Sequence, residues 1–144
     1  MKKISLLLIA LFVSLGMRAQ PTETEVTAMS YNIRLDNTSD SLNNWKYRKD
    51  NAAEMVRYYH PDIVGMQEVV KNQLYDFKAR LKDYTALGVG RADGKEKGEF
   101  CPIFYKTDKY TLLDYGNFGI SETPEVIGKK GWDAACERIV TWAI

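Results

Sequence analysis

Two polar side chains each close an apolar stretch of this sequence. Asn32 lies near the end of the stretch 25–33, and Glu68 directly follows the stretch 63–67. A carboxylate beside an amide offers oxygen ligands, which hard cations such as Mg²⁺ prefer. A bound Mg²⁺ polarises a phosphoryl oxygen and stabilises a leaving oxygen. We therefore predict that Asn32 and Glu68 form a hard-metal site for phosphate-ester chemistry.

The elements around these two residues must bring them together. The stretches 25–33 and 63–67 are typical of buried strands, and the segment 45–59 between them is typical of a helix that ends before Pro61. A strand, a crossover helix and a second strand form a unit whose strands run parallel. Both strands then end at the same edge of the sheet, where open α/β sheets bind ligands. The two side chains are expected to meet at this edge.

Two helices show one apolar face each. The first repeats at helical spacing through Ala52, Met55, Val56 and Tyr59, and the second through Val70, Leu74, Phe77 and Leu81. In the predicted strand 25–33, residues 26–33 are all uncharged, so neither face of the strand carries a charge there. We therefore expect both faces to be covered by other parts of the protein.

The remaining segments predict further strands at 84–89, 99–106, 110–118 and 138–144. Residues 107–109 are expected to form a short hairpin between two of them. The Gly- and Lys-rich segment 90–98 lacks the spacing of a phosphate-binding P-loop, which favours a flexible connector. The order βαβαβ followed by antiparallel strands indicates a mixed-sheet α/β or α+β domain.

The first nineteen residues have the pattern of a secretory signal peptide. Lys2 and Lys3 precede an apolar run from 4 to 15, and Ala19 stands where cleavage would occur. The run is shorter than the roughly 20 residues that a membrane span needs. We therefore expect a secreted or periplasmic protein with no stable membrane span in its mature form.

Charge limits the range of partners. The formal net charge is +1 over 144 residues, and removal of residues 1–19 would take three basic side chains away. A nearly neutral mature chain does not favour a protein that coats DNA through phosphate neutralisation. It is compatible with a local cationic cleft.

Two cysteines, Cys101 and Cys136, follow the signal segment. Export would permit a disulfide between them. The interpretation that we favour is that both are small apolar residues of strands, without a disulfide.

The last segment, 138–144, is an apolar run at the very end of the sequence. A core strand that ends a chain in this way predicts that these residues are the N-terminal part of a longer protein. Residues 20–144 are accordingly expected to form a domain that is incomplete at its C-terminus.

Several blocks of the sequence resemble the endonuclease/exonuclease/phosphatase superfamily, the group that includes pancreatic deoxyribonuclease, and in particular its secreted bacterial members. The blocks are Ser30–Arg34, Pro61–Glu68, Gly98–Lys106, Gly116–Pro124 and Arg138–Ala143. The resemblance implies the N-terminal portion of a four-layer αββα sandwich with mixed β-sheets. It also implies a phosphate-ester substrate, which could be a nucleic acid, a lipid head group or a small molecule.

The resemblance assigns roles to individual residues. It makes Glu68 the main protein ligand of Mg²⁺, with Mn²⁺ as the alternative metal, and it places Asn32 near the metal and the phosphate. Arg138 corresponds to a cation that contacts phosphate, and Glu99 to a recurrent acidic position. We therefore expect Asn32, Glu68 and Arg138 to be the catalytic residues and Glu68 and Asn32 to hold the metal.

The family's general base, a late histidine oriented by an acidic residue, has no counterpart in this sequence. The single histidine, His60, matches no catalytic position of the family. The resemblance therefore implies a Mg²⁺-dependent hydrolase that lacks its C-terminal catalytic half, so the 144-residue chain alone is expected to be inactive. The alternative is a truncated or degenerate module that binds without turnover.

Overall fold

The computed structural model describes residues 25–144, in which six strands and two helices follow one another. The strands are β1 (Ala28–Asn32), β2 (Ile63–Gln67), β3 (Tyr84–Leu87), β4 (Ile103–Lys106), β5 (Tyr115–Gly119) and β6 (Ile139–Ala143). The helices are α1 (Trp45–Tyr59) and α2 (Lys71–Arg80), and a 3₁₀ segment, Thr38–Asn43, precedes α1. The predicted signal segment, 1–19, lies outside the described residues. Between residues 25 and 144 no helix is long and apolar enough to cross a bilayer.

The strands form two sheets. The larger has the order β1-β2-β4-β3, and the smaller pairs β5 with β6. Strands β1 and β2 run parallel, as the helix between them requires, whereas β2–β4 and β3–β4 are antiparallel. The predicted mixed-sheet α/β architecture is confirmed.

The core lies between the two helices and one face of the larger sheet. Its fully buried members include Val56 of α1, Phe77 of α2, and Val64 and Phe104 of the sheet. The opposite face of the sheet packs against the ends of the smaller sheet, where a small apolar cavity is lined by Ile63, Ile103, Tyr105, Ala143 and Ile144. The described chain therefore has a layer of helices, a sheet, and a second short sheet.

Helix α1 has the predicted bounds, and of the four predicted apolar-face residues Ala52 and Val56 are buried. The buried residues are Trp45, Ala52, Ala53 and Val56, whereas Met55 and Tyr59 are 44% and 59% exposed. The prediction for Met55 and Tyr59 was wrong because two adjacent alanines let the helix approach the sheet on a face rotated away from them. In α2 the predicted residues Leu74 and Phe77 are buried, as is Leu81 just after it.

The helix ends follow from local capping. The Asn44 side chain accepts a hydrogen bond from the Lys46 N–H at the start of α1. His60 ends the helix in the left-handed region, at φ 51°, immediately before Pro61. His60 therefore has a structural explanation at this position.

Several strand predictions need correction. The predicted hairpin across residues 107–109 is wrong, because β4 and β5 belong to different sheets and residues 110–114 are not a strand. Strand β4 starts four residues later than predicted, since Phe100 makes only isolated bridges and Pro102 has no N–H to donate. The expectation that β1 is covered on both faces is also wrong. It is an edge strand, and one of its faces, which carries Ala28, Ser30 and Asn32, is exposed.

Both cysteines, Cys101 and Cys136, are free and half-buried. The absence of a disulfide between them agrees with the prediction, but the expectation that both lie in strands is wrong, because Cys101 precedes β4 and Cys136 precedes β6.

Candidate active site

The parallel pairing of β1 with β2 brings Asn32 and Glu68 into direct contact. Asn32 lies opposite Gln67 in the ladder, and Glu68 is the next residue after Gln67. The Asn32 Nδ2 donates a hydrogen bond to Glu68 Oε1 at 3.0 Å. The structure therefore brings together the two residues that the sequence placed at one sheet edge.

The turn after β1 supplies two further hydrogen bonds. The Arg34 N–H donates to Asn32 Oδ1 at 2.9 Å, and the Leu35 N–H donates to Glu68 Oε2 at 3.1 Å. Both Arg34 and Glu68 have left-handed backbones, with φ of 59° and 60°. Residues other than glycine rarely adopt this conformation, and where they do it often marks a functional site.

These contacts hold the pKa of the Glu68 carboxyl below its usual value. The Asn32 hydrogen bond is the largest cause, the Leu35 N–H is the second, and the positive charges of Arg34 and Arg91 add to them. Hydrogen bonds to the charged form of an acid favour that form. Glu68 is therefore an ionised carboxylate at neutral pH.

A cleft of about 260 Å³ opens over this carboxylate. Besides Asn32 and Glu68, its lining includes Arg138 and Glu99, the other residues that the sequence singled out, together with Arg91 and Cys101. Arg138 precedes β6 and comes from the smaller sheet, where its carbonyl accepts a hydrogen bond from the Ile120 N–H at 3.0 Å. The cleft thus lies where the two sheets meet.

Arg91 is a cleft residue that the sequence reasoning missed. It pairs with Glu99 at 2.8 Å, so the charge of Glu99 is already matched. Arg138 forms no salt bridge with any residue between 25 and 144, which leaves its guanidinium available to an anion. The feature of the sequence that could have identified Arg91 is its position at one end of the segment 90–98, with Glu99 directly after the other end.

The segment 90–98 is an internally hydrogen-bonded loop, which does not agree with the flexible connector that its composition suggested. The Arg91 N–H donates to the Glu99 carbonyl at 3.0 Å, and the Asp93 side chain accepts from two N–H groups of the loop. A Cβ at Gly90 would lie 2.2 Å from the Lys97 carbonyl oxygen, so this position requires glycine. The loop therefore holds Arg91 at the cleft.

The donor set suits a hard, partly hydrated cation. Between residues 25 and 144 no three His, Cys, Asp or Glu side chains lie together as a metal cluster. Mg²⁺ keeps several waters and needs only one or two carboxylates plus substrate phosphate, so the ionised Glu68 fits this cation. A zinc site, in contrast, needs three or four protein ligands. The Asn32 amide turns its nitrogen to Glu68 and its oxygen to the Arg34 N–H. Direct ligation by Asn32 stays a prediction.

His60 does not reach this cleft. It precedes β2, whereas Glu68 follows β2, and the five residues of that strand at about 3.3 Å each separate the two ends by roughly 15 Å or more. No histidine among residues 25–144 lines the cleft.

Comparison with known proteins gives consistent matches. Residues 29–143 match the model of the Endonuclease/Exonuclease/phosphatase family. A crystal structure of an endonuclease/exonuclease/phosphatase from Bacteroides vulgatus is 51% identical, with a TM-score of 0.83 over 84% of this chain and 46% of that one. A mannosyl-6-phosphatase from Bacteroides thetaiotaomicron is 47% identical, with a TM-score of 0.79 over 83% of this chain and 45% of that one.

A third relative, with lower sequence identity, is named as a nuclease. The CCR4-Not complex 3'-5'-exoribonuclease subunit Ccr4 of Phaeosphaeria nodorum is 30% identical over 113 residues, which are 65% of this chain and 19% of that protein. The chain therefore spans less than half the length of each of these three relatives.

Proposed function

The chain belongs to the endonuclease/exonuclease/phosphatase family, and from this premise we propose that it carries the metal-binding part of the active site of a phosphate-ester hydrolase that depends on a divalent cation. The observation that carries the proposal is the 3.0 Å contact between Asn32 and the ionised Glu68 at the shared end of two parallel strands. This is the sheet edge at which α/β proteins bind ligands.

Each residue has a proposed role that its surroundings support. Glu68 holds Mg²⁺, with Mn²⁺ as the alternative, and Asn32 fixes the orientation of the carboxylate through its amide nitrogen. When bound, the cation supplies charge stabilisation for a phosphoryl oxygen. Arg138 contacts the phosphate, since it lines the same cleft and forms no salt bridge with any of residues 25–144.

The substrate that we propose is a small phosphate monoester, such as a sugar phosphate. The relative from Bacteroides thetaiotaomicron, which is 47% identical, is a mannosyl-6-phosphatase. The chain has a formal net charge of only +1, and a polynucleotide substrate favours a broad basic surface. Nucleic acid and lipid head groups are the competing outcomes of the substrate test.

The experiment measures metal binding and hydrolysis separately. Mn²⁺ affinity is determined by electron paramagnetic resonance, and phosphate release is followed for mannose 6-phosphate, a dinucleotide and phosphocholine, with Mg²⁺ and with a chelator. Glu68→Gln is expected to weaken Mn²⁺ binding at least tenfold. Glu54→Gln, on the exposed surface of α1, is the matched control and should bind normally. Equal Mn²⁺ affinity in the Glu68→Gln variant and the unaltered chain would exclude Glu68 as the ligand.

A second candidate is a module that binds without turnover. Among the described residues that line the cleft, none is suited to act as a general base near neutral pH, and this favours the binding module. Burial is the main cause that raises the pKa of the Cys101 thiol. His60 lies at the other end of β2. Mn²⁺ binding with no phosphate release from any of the three substrates would support this candidate over the hydrolase.

We also propose that the protein is exported through residues 1–19, on the basis of the basic start and apolar run of that segment. N-terminal sequencing of the protein from the periplasm or medium is expected to begin close to Gln20. An intact N-terminus on cytoplasmic protein alone would contradict export.

A further inference from the structure

One peptide group, the bond that joins Arg34 to Leu35, is held on both sides by side chains from other elements. Its carbonyl oxygen accepts hydrogen bonds from Gln73 Nε2 at 2.9 Å and from Arg48 Nη2 at 3.1 Å. Its N–H donates to Glu68 Oε2 at 3.1 Å. Because a trans peptide is planar, its C=O and N–H point in opposite directions, so holding the carbonyl also sets the direction of the N–H.

We propose that Gln73 and Arg48 are positioning residues of the site: by gripping the Arg34 carbonyl they aim the Leu35 N–H at Glu68 and hold that carboxylate in the orientation that receives a divalent cation. Neither side chain touches the carboxylate itself. The inference rests on the proposed function insofar as it treats Glu68 as the metal ligand. Residues that orient a ligand from outside the coordination sphere commonly change metal affinity by about 10–100-fold.

Gln73 is completely buried, and both the oxygen and the nitrogen of its side-chain amide form hydrogen bonds. The side chain is 0% exposed in the first turn of α2. Its Oε1 accepts a hydrogen bond from the Val70 N–H at 3.0 Å, which leaves its Nε2 directed at the Arg34 carbonyl. With both ends of the amide bonded, the side chain cannot rotate without leaving a buried polar group unpaired, which is unfavourable.

Arg48 reaches the same carbonyl from α1. Its three nitrogens donate to three successive parts of the loop, the carbonyls of Ile33 at 2.8 Å, Arg34 at 3.1 Å and Asn43 at 2.5 Å. A guanidinium presents donors in a fixed planar fork, whereas a lysine ammonium is a single point charge. Only arginine can therefore bind all three carbonyls at once, and the segment that follows β1 is clamped between the two helices.

The experiment compares two variants whose only common effect is the loss of a hydrogen bond to the Arg34 carbonyl. Gln73→Met removes one donor while keeping a similar volume, and Arg48→Lys keeps the charge but loses the fork. In both variants we expect the hydrogen-exchange protection of the Leu35 amide to fall at least tenfold, while the Met66 amide in β2 keeps its protection. Mn²⁺ affinity is expected to fall by about tenfold in both.

Asn72→Ala is the matched control, because Asn72 also lies in the first turn of α2 and donates to the same loop, at Asp36 Oδ2 and 2.8 Å, but does not contact the Arg34–Leu35 peptide. It should leave both measurements unchanged. Unchanged Leu35 protection in Gln73→Met, or an equal loss in Asn72→Ala, would overturn the proposal. If Gln73→Met does not fold, Arg48→Lys decides in its place.

The two measurements also separate this inference from the proposed function. Leu35 exchange needs neither metal nor turnover. An unaltered chain that fails to bind Mn²⁺ contradicts the metal site, and the Leu35 amide still shows whether Gln73 and Arg48 set the orientation of the peptide. Normal Mn²⁺ binding in both variants contradicts the positioning role and leaves the metal site standing.

Discussion

Replacing Asn32 by aspartate converts the central contact of the site from a hydrogen bond into a repulsion. In the unaltered chain the Asn32 Nδ2 donates to Glu68 Oε1 at 3.0 Å. Asn32→Asp changes one donor group and keeps nearly the same shape, so it puts two carboxylates at that distance.

Two unit charges 3.0 Å apart repel by about 1.4 kcal/mol at the dielectric constant of water and by about 5.5 kcal/mol at an effective value of about 20. The pair is partly open to solvent, so the lower part of this range applies. About 1.4 kcal/mol corresponds to a change of about one pH unit in a pKa. We therefore expect the Glu68 pKa, which lies below its usual value in the unaltered chain, to rise by at least about one unit.

The sign of the pH dependence reverses with this substitution. In the unaltered chain the lowered pKa of Glu68 contributes stability that is present above the pKa of the unfolded state and is lost as the pH falls. In Asn32→Asp the pair repels at neutral pH, and protonation of one carboxyl relieves the repulsion. The unfolding free energy of the variant should therefore rise relative to that of the unaltered chain between pH 7 and pH 4, a range that includes the ordinary glutamate pKa of 4.5.

The assay is a carbon-13 NMR titration of the Glu68 carboxyl, with urea unfolding at pH 7 and pH 4. Asn72→Asp is the control, since it places a like charge 2.8 Å from Asp36 in the adjacent loop without touching Glu68. A Glu68 pKa that stays low in Asn32→Asp, or that rises equally in Asn72→Asp, would refute the contact on which the site is built.

Two further predictions concern the frame of the site. The Thr27 N–H and the Lys109 ammonium lower the pKa of Asp62 to about 2, so Asp62→Asn should destabilise the chain at neutral pH. Most of the difference in urea unfolding should be lost as the pH falls from about 4 to about 2, and a difference at pH 2 as large as that at pH 7 would contradict this. Phe104 is 0% exposed at the centre of the larger sheet, so Phe104→Ala should cost about 3–5 kcal/mol by the same assay, and a loss below 1 kcal/mol would show that it is not a core residue.

The residues of the candidate site could be predicted more completely than the packing of the elements around them, because the pattern that identifies these residues lies within short segments of the sequence. A polar residue at the end of each of two apolar stretches, with a helix between them, is enough to place Asn32 beside Glu68 once the strands run parallel. Sequence periodicity likewise gave the bounds of α1 without error. What periodicity could not give is which residue of the helix faces the sheet, since Ala52, Ala53 and Met55 all fit an apolar stripe and only close packing selects the alanines.

The long-range arrangement depended on contacts that no local pattern encodes. The segment 107–109 has the length and composition of a hairpin, yet the strands on its two sides pair with different partners. Gln73 has the appearance of a polar helix residue, and its burial follows from an approach by the loop after β1 that lies 39 positions away. Arg91 was missed for the same reason, because a loop rich in glycine and lysine resembles a connector until its backbone hydrogen bonds are known.

The cleft takes its carboxylate, Glu68, from the end of the larger sheet, and Arg138, which has no acidic partner among residues 25–144, from beside the smaller one. Gly88 lies against Thr141 and Pro102 where the sheets touch, with a built Cβ only 3.2 Å from the Thr141 hydroxyl. A change of side-chain size at that junction would widen or narrow the gap between Glu68 and Arg138 without replacing either group. The size of the molecule that the cleft accepts therefore depends on this junction, separately from the two groups that we propose to bind the metal and the phosphate.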